Sequence, residues 1–162
     1  MDDDPSYEIT VTLPDGGASV IDWAHIDGAA LQTSVAAVLR RHGVRRARIG
    51  LAVVDDEMIA RLNRTHLGHE GPTDVITFEM GDDKGANRIE GEIAISAQTA
   101  AREAAARGHD TAAELALYAV HGVLHLLGYD DHNHEEACRM HSVENKILTS
   151  MGFGAVYGAL QG

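Results

Sequence analysis

His121 and His125 stand four residues apart in the run HGVLHLLGYDDH, residues 121–132. On an α-helix, side chains at i and i+4 lie one above the other, so the two imidazoles can face a single ion. Val123, Leu124 and Leu126 surround them, which places the pair on an apolar segment where unpartnered imidazoles are costly. A shared metal ion satisfies both rings at once. Zinc takes three or four N, S or O ligands in a tetrahedron, and two histidines one turn apart supply the rigid half of that set. Gly128 is placed to end the helix and turn the chain back, bringing Asp130, Asp131, His132 or His134 toward the pair. A zinc protease of the HExxH type carries its base beside the first histidine, and here that position is Gly122. Glu135, Glu136 and Glu144 follow in the next segment and read as solvated ion-pair partners.

The rest of the chain supplies strands and helices to hold this segment. Residues 7–13 alternate in β-formers, PDGG turns, and residues 18–21 return as the second arm of an opening hairpin. Leu31, Val35, Val38 and Leu39 predict a helix over 26–42 stopped by Gly43, and RIGLAVV at 48–54 predicts a strand. Asp55 caps a helix carrying Met58, Ile59 and Leu62. Strands are expected at 73–80 and 92–96, separated by the polar stretch GDDKGANRIE. An alanine-rich helix ends at Gly108, Thr111 and Glu114 form a capping box for the helix running to Gly128, and a last helix begins near Asn133. Mixed elements followed by three helices predict one α+β domain over 1–162, a small mixed sheet covered by helices, with a glycine-rich tail from about 152.

Composition narrows the function classes. The only cysteine is Cys138, so no internal disulfide forms, and the acidic start MDDDPSYEIT lacks a signal-peptide pattern; a cytoplasmic location is expected. No apolar run is long enough for a bilayer. A net charge of -12 excludes general coating of nucleic acid, so neither a membrane nor DNA is an expected partner. The local exception is RRHGVRRAR at 40–48, where Arg40 and Arg41 suit a helix C-terminus and Arg45 and Arg46 are candidate RNA contacts.

HGVLHLLGYDDH resembles the signature of the YbeY-type rRNA maturation factors, in which HGxLHLxGYDH is the hallmark. PTDVITF at 72–78 and GEIAIS at 91–96 resemble that family's further motifs, in the same order, and the likeness spans roughly 45–150. The resemblance implies a zincin-like α+β fold and one catalytic zinc per chain on three protein ligands. It also implies metal-assisted hydrolysis of single-stranded RNA in rRNA maturation and ribosome quality control, with a ribosomal RNA precursor and the small ribosomal subunit as partners. The implied catalytic and metal residues are His121, His125 and a third ligand. The family pattern has a histidine six residues after the second; here that position is Asp131 and the histidine follows at His132. A carboxylate ligates zinc at nearly the same distance, so Asp131 is the favoured third ligand and His132 the alternative. Asp130, Thr73 and Asp74 are candidates for shaping or supporting the site. The loop arginine usual in the family is replaced by Leu67, leaving Arg64, His66 and His69 as further candidate RNA contacts.

Overall fold

The computed structural model describes residues 5–13, 26–68, 71, 73–80 and 88–153. Its frame is a sheet built outward from β2 (Arg46–Val54), where Ala47, Ile49, Leu51 and Val53 alternate onto one buried face. Strand β1 (Ser6–Thr12) lies parallel to β2, with Ser6 opposite Arg46 and Thr12 opposite Ala52. On the other side β4 (Arg88–Ser96) is also parallel, from Arg46 opposite Arg88 to Val54 opposite Ser96. Strand β3 (Val75–Glu79) runs antiparallel to β4 at the edge, giving the order β1-β2-β4-β3. The α+β class with a small mixed sheet is therefore as expected. Strand β4 begins at Arg88, before the expected Glu92, because Arg88, Ile89 and Glu90 continue the parallel ladder with β2. The expected return strand at 18–21 and the tail after Phe153 lie outside the described residues.

Helix α1 (Gly28–Arg41) starts where the Asp27 side chain accepts a hydrogen bond from the Ala30 N–H at 3.1 Å. It stops at Gly43, whose φ of +69° is a left-handed conformation suited to glycine. Asp55 caps α2 (Asp56–Leu62) in the same way through the Met58 N–H, and the helix then widens into a π-turn over Asn63–Leu67. Helices α3 (Ala97–Arg107), α4 (Thr111–Leu126) and α5 (His134–Ser150) follow, capped at the start of α3 by Ser96 and of α5 by Asn133.

The expected capping box of α4 does not form. Asp110 holds the N-cap position without a side-chain bond, and Thr111 is already helical. Glu114 falls on the buried stripe of the helix, so its carboxylate turns back to the end of α3 and pairs with Arg107 at 3.1 Å and with His109.

Helix α4 is the centre of the molecule, in contact with β3, β4, α1, α3 and α5. It is apolar on nearly every side, as an element enclosed by others must be. Two glycines let it approach the sheet. A Cβ on Gly122 would stand 2.7 Å from Ile93 Cγ2, and one on Gly91 would stand 2.7 Å from Leu126 Cδ1. Gly122 thus does more than remove a protease base: it seats the histidine-bearing helix on β4.

Candidate metal centre

The two histidines sit near the C-terminal end of α4, on the side where α5 and the 129–133 loop meet it. Their Nε2 atoms are 3.0 Å apart and the rings stand edge to face at 83°. Each Nδ1 has its own holder. That of His125 lies 3.1 Å from the Tyr129 carbonyl oxygen, and that of His121 lies 3.3 Å from Glu144 Oε2. With both Nδ1 atoms facing oxygen acceptors, both Nε2 atoms are turned to the same point.

Leu127 closes the helix and Gly128, at φ +103°, reverses the chain. The reversal brings Asp131 Oδ2 to 3.9 Å from His121 Nε2. One ligand atom from each of His121, His125 and Asp131 lies within 4.8 Å of the others. In a tetrahedral zinc site with bonds of about 2.0–2.2 Å, donors stand about 3.3–3.6 Å apart, so the three residues fit such an ion with small adjustments. The donor chemistry fits as well, being two neutral-capable imidazoles and one carboxylate.

Asp131 is 43% exposed at its side chain, while His121 is 18% exposed. The cluster is therefore walled by the core on the helix side and open toward solvent on the loop side. Burial works against the charged form of His121, but the Glu144 carboxylate, with Asp74 and Asp131, outweighs it and raises the pKa above the ordinary imidazole value. Burial lowers the pKa of His125, and the neighbouring His121 lowers it further.

The alternative third residue stands elsewhere. His132 is 82% exposed and its Nε2 pairs with Asp130 Oδ2 at 3.0 Å. Asp130 also accepts the Asp131 N–H at 2.8 Å, so it shapes the loop and holds His132, not His121 or His125. His134 is exposed, with its Nε2 3.5 Å from Cys138 Sγ. Asp74 directly precedes β3, where its Oδ1 accepts the Val75 N–H at 2.8 Å and the Thr73 hydroxyl at 3.3 Å. It contributes to the field at His121.

The candidate RNA contacts are dispersed. Arg64 and His66 lie on the π-turn, with His66 edge to face against Phe78, and Leu67 beside them is half exposed. Arg45 and Arg46 lie at the start of β2, both exposed. His69 lies outside the described residues.

Three partners of the cluster escaped sequence reasoning. Glu144, expected to be a solvated ion-pair partner, is fully buried. A signal for it exists: Met140, Glu144, Ile147 and Leu148 form one stripe at i, i+4, i+7 and i+8, so the carboxylate stands in an apolar row. The Tyr129 carbonyl and His42, whose Nε2 lies 2.9 Å from Tyr129 Oη, depend on long-range packing that spacing does not reveal.

Two imidazoles and a carboxylate converge at the open end of a buried helix, beside a small mixed sheet, and offer donors that could hold a metal ion. The sequence profile described as Endoribonuclease YbeY matches residues 21–152. The chain belongs to that family. It is 42% identical over 115 residues to the Endoribonuclease YbeY of Moorella thermoacetica, covering 65% of this chain and 74% of the relative. It is 37% identical over 155 residues to that of Chloroflexus aurantiacus, covering 90% of this chain and 96% of the relative. A solution structure of a Thermotoga maritima protein shares the fold, with a TM-score of 0.58 at 23% identity over 94% of this chain and 91% of that one.

Proposed function

We propose that the protein is a zinc-dependent endoribonuclease that cuts single-stranded RNA during rRNA maturation and ribosome quality control. Its substrate on this reading is a ribosomal RNA precursor, met in the cytoplasm on or near the small ribosomal subunit. The observation that carries the reading is the convergence of His121, His125 and Asp131 in a chain of the Endoribonuclease YbeY family. Among the described residues no helix is long and apolar enough to cross a membrane.

His121 and His125 would hold one zinc ion through Nε2, with Asp131 completing a three-residue set on the solvent side. Such an ion lowers the pKa of a water toward neutrality and offsets charge on a phosphoryl oxygen. The protein's own part is positional. Glu144 and the Tyr129 carbonyl fix the two rings, and the core beneath α4 keeps water from the helix side. The half-exposed Asp131 leaves the opposite side accessible to an RNA strand. Arg64 and His66 on the π-turn, and Arg45 and Arg46 at the entry to β2, are the side chains assigned to phosphate contact. Their effect is expected on KM more than on kcat.

Purified protein should cleave a single-stranded RNA only when loaded with zinc, and His121→Ala and His125→Ala should abolish cleavage. Full cleavage by both variants would refute the catalytic assignment. Metal analysis of Asp131→Ala and His132→Ala settles the third ligand: loss of stoichiometric zinc is expected in the first only, and loss in the second alone would transfer the role to His132.

A further inference from the structure

The Glu144 carboxylate is wholly buried, among core residues Met140, Ile147 and Leu148 on α5. Oε2 faces His121 Nδ1 at 3.3 Å, while Oε1 has no hydrogen-bond partner among the described residues. Such a placement is expensive for a carboxylate, and an apolar side chain of similar size would serve packing better. Its Oε2 is aimed at His121. The imidazole lies between Glu144 on its Nδ1 side and the point shared with His125 and Asp131 on its Nε2 side.

We infer that Glu144 is a positioning residue for the metal centre: it accepts the His121 Nδ1–H, fixes the tautomer that offers Nε2 to the ion, and balances the ion's charge from inside the core. The inference rests on the metal reading above. The two histidines are then held unequally, His125 by a neutral carbonyl of the loop that follows its helix and His121 by a charged group from another helix. The Glu144 contact makes the docking of α5 onto α4 part of the ion-binding geometry. In metal sites generally, loss of a partner that orients a ligand histidine weakens metal affinity about 10–100-fold.

The test compares zinc affinity, measured by chelator competition, in wild type, Glu144→Gln and Glu144→Leu. Glu144→Gln keeps the size and an acceptor oxygen but removes the charge, and Glu144→Leu removes both. We expect affinity to fall roughly 10-fold or more in Glu144→Gln and further in Glu144→Leu. Nitrogen NMR of the zinc-loaded wild type supplies a readout without mutation: the His121 Nδ1 should carry a proton protected from solvent exchange. Unchanged affinity in folded Glu144→Gln and Glu144→Leu overturns the assignment, as does a zinc-loaded wild type lacking a protonated His121 Nδ1. Wild type that takes up no zinc overturns the metal reading itself, which separates the two failures.

Discussion

His42 Nε2 lies 2.9 Å from the hydroxyl oxygen of Tyr129, across 87 residues of chain. The two rings meet edge to face, and His42 Nδ1 lies 2.8 Å from the Val38 carbonyl oxygen. This ties the C-terminal end of α1 to the residue whose own carbonyl holds His125. The basic turn at 40–48 is thereby joined to the metal loop by structure as well as by any common ligand. Tyr129→Phe should destabilise the fold by about 0.5–1.5 kcal/mol, the net worth of one hydrogen bond, and His42→Phe, which also loses the Val38 contact, by about 1–3 kcal/mol. In a double-mutant cycle read by urea unfolding, the combined variant should cost clearly less than the sum of the two. Strict additivity would show that the pair does not interact.

Gly122→Ala should destabilise the protein although alanine is the better helix former. The gain in helix propensity is at most about 1 kcal/mol. Against it, the new methyl group meets Ile93 Cγ2 at 2.7 Å and Cδ1 at 3.2 Å, and overpacking of this kind typically costs about 1–3 kcal/mol. A net loss of up to about 2 kcal/mol in chemical unfolding is expected. Pairing the change with Ile93→Ala should recover part of it, and a more stable single variant would contradict the close helix-sheet approach.

Asp56 supplies a pH-dependent element of stability at the junction of α2 and α3. Its Oδ1 accepts bonds from the Ser96 and Thr99 hydroxyls at 2.7 and 2.8 Å, and its Oδ2 accepts one from Arg102 at 2.7 Å. Burial pushes the carboxyl pKa upward, but the bonds from Arg102, Ser96 and Thr99 outweigh it and hold the value below the ordinary 3.8. A folded-state pKa below the unfolded one adds stability that is present above pH 3.8 and is lost as pH falls through the folded value. Asp56→Asn should therefore cost about 1–2 kcal/mol at pH 7, and its difference from wild type should shrink below about pH 4. A difference that stays constant between pH 7 and pH 3 would remove the charge from the explanation.

Local signals in the chain carried much of this architecture. Apolar patterning located α1 and β2, and Asp55, Asn133 and the glycines at 43 and 108 marked boundaries that the backbone respects. The pair His121 and His125 was legible because helix geometry alone makes i and i+4 neighbours. Glu114 was misread as half of a capping box because its spacing from Thr111 fits one. The Arg107 and His109 contacts that claim it come from the last residue of the preceding helix and from the turn after it. Glu144 was misread for a related reason: charge suggests solvent, and only its register with Met140, Ile147 and Leu148 says otherwise. The parallel pairing of β1 with β2 joins segments forty residues apart, a distance over which composition carries no register.

The three candidate ligands belong to regions of different burial. His121 and His125 ride on α4, whose buried flanks tie its opening to loss of the whole core. Asp131 rides on a solvent-facing loop, where excursions take nanoseconds to microseconds. An ion at this centre would therefore come and go through the Asp131 side, with a residence time set by the 128–133 loop and not by global unfolding. Altering that loop would tune how fast metal exchanges while leaving the rigid two-histidine half in place.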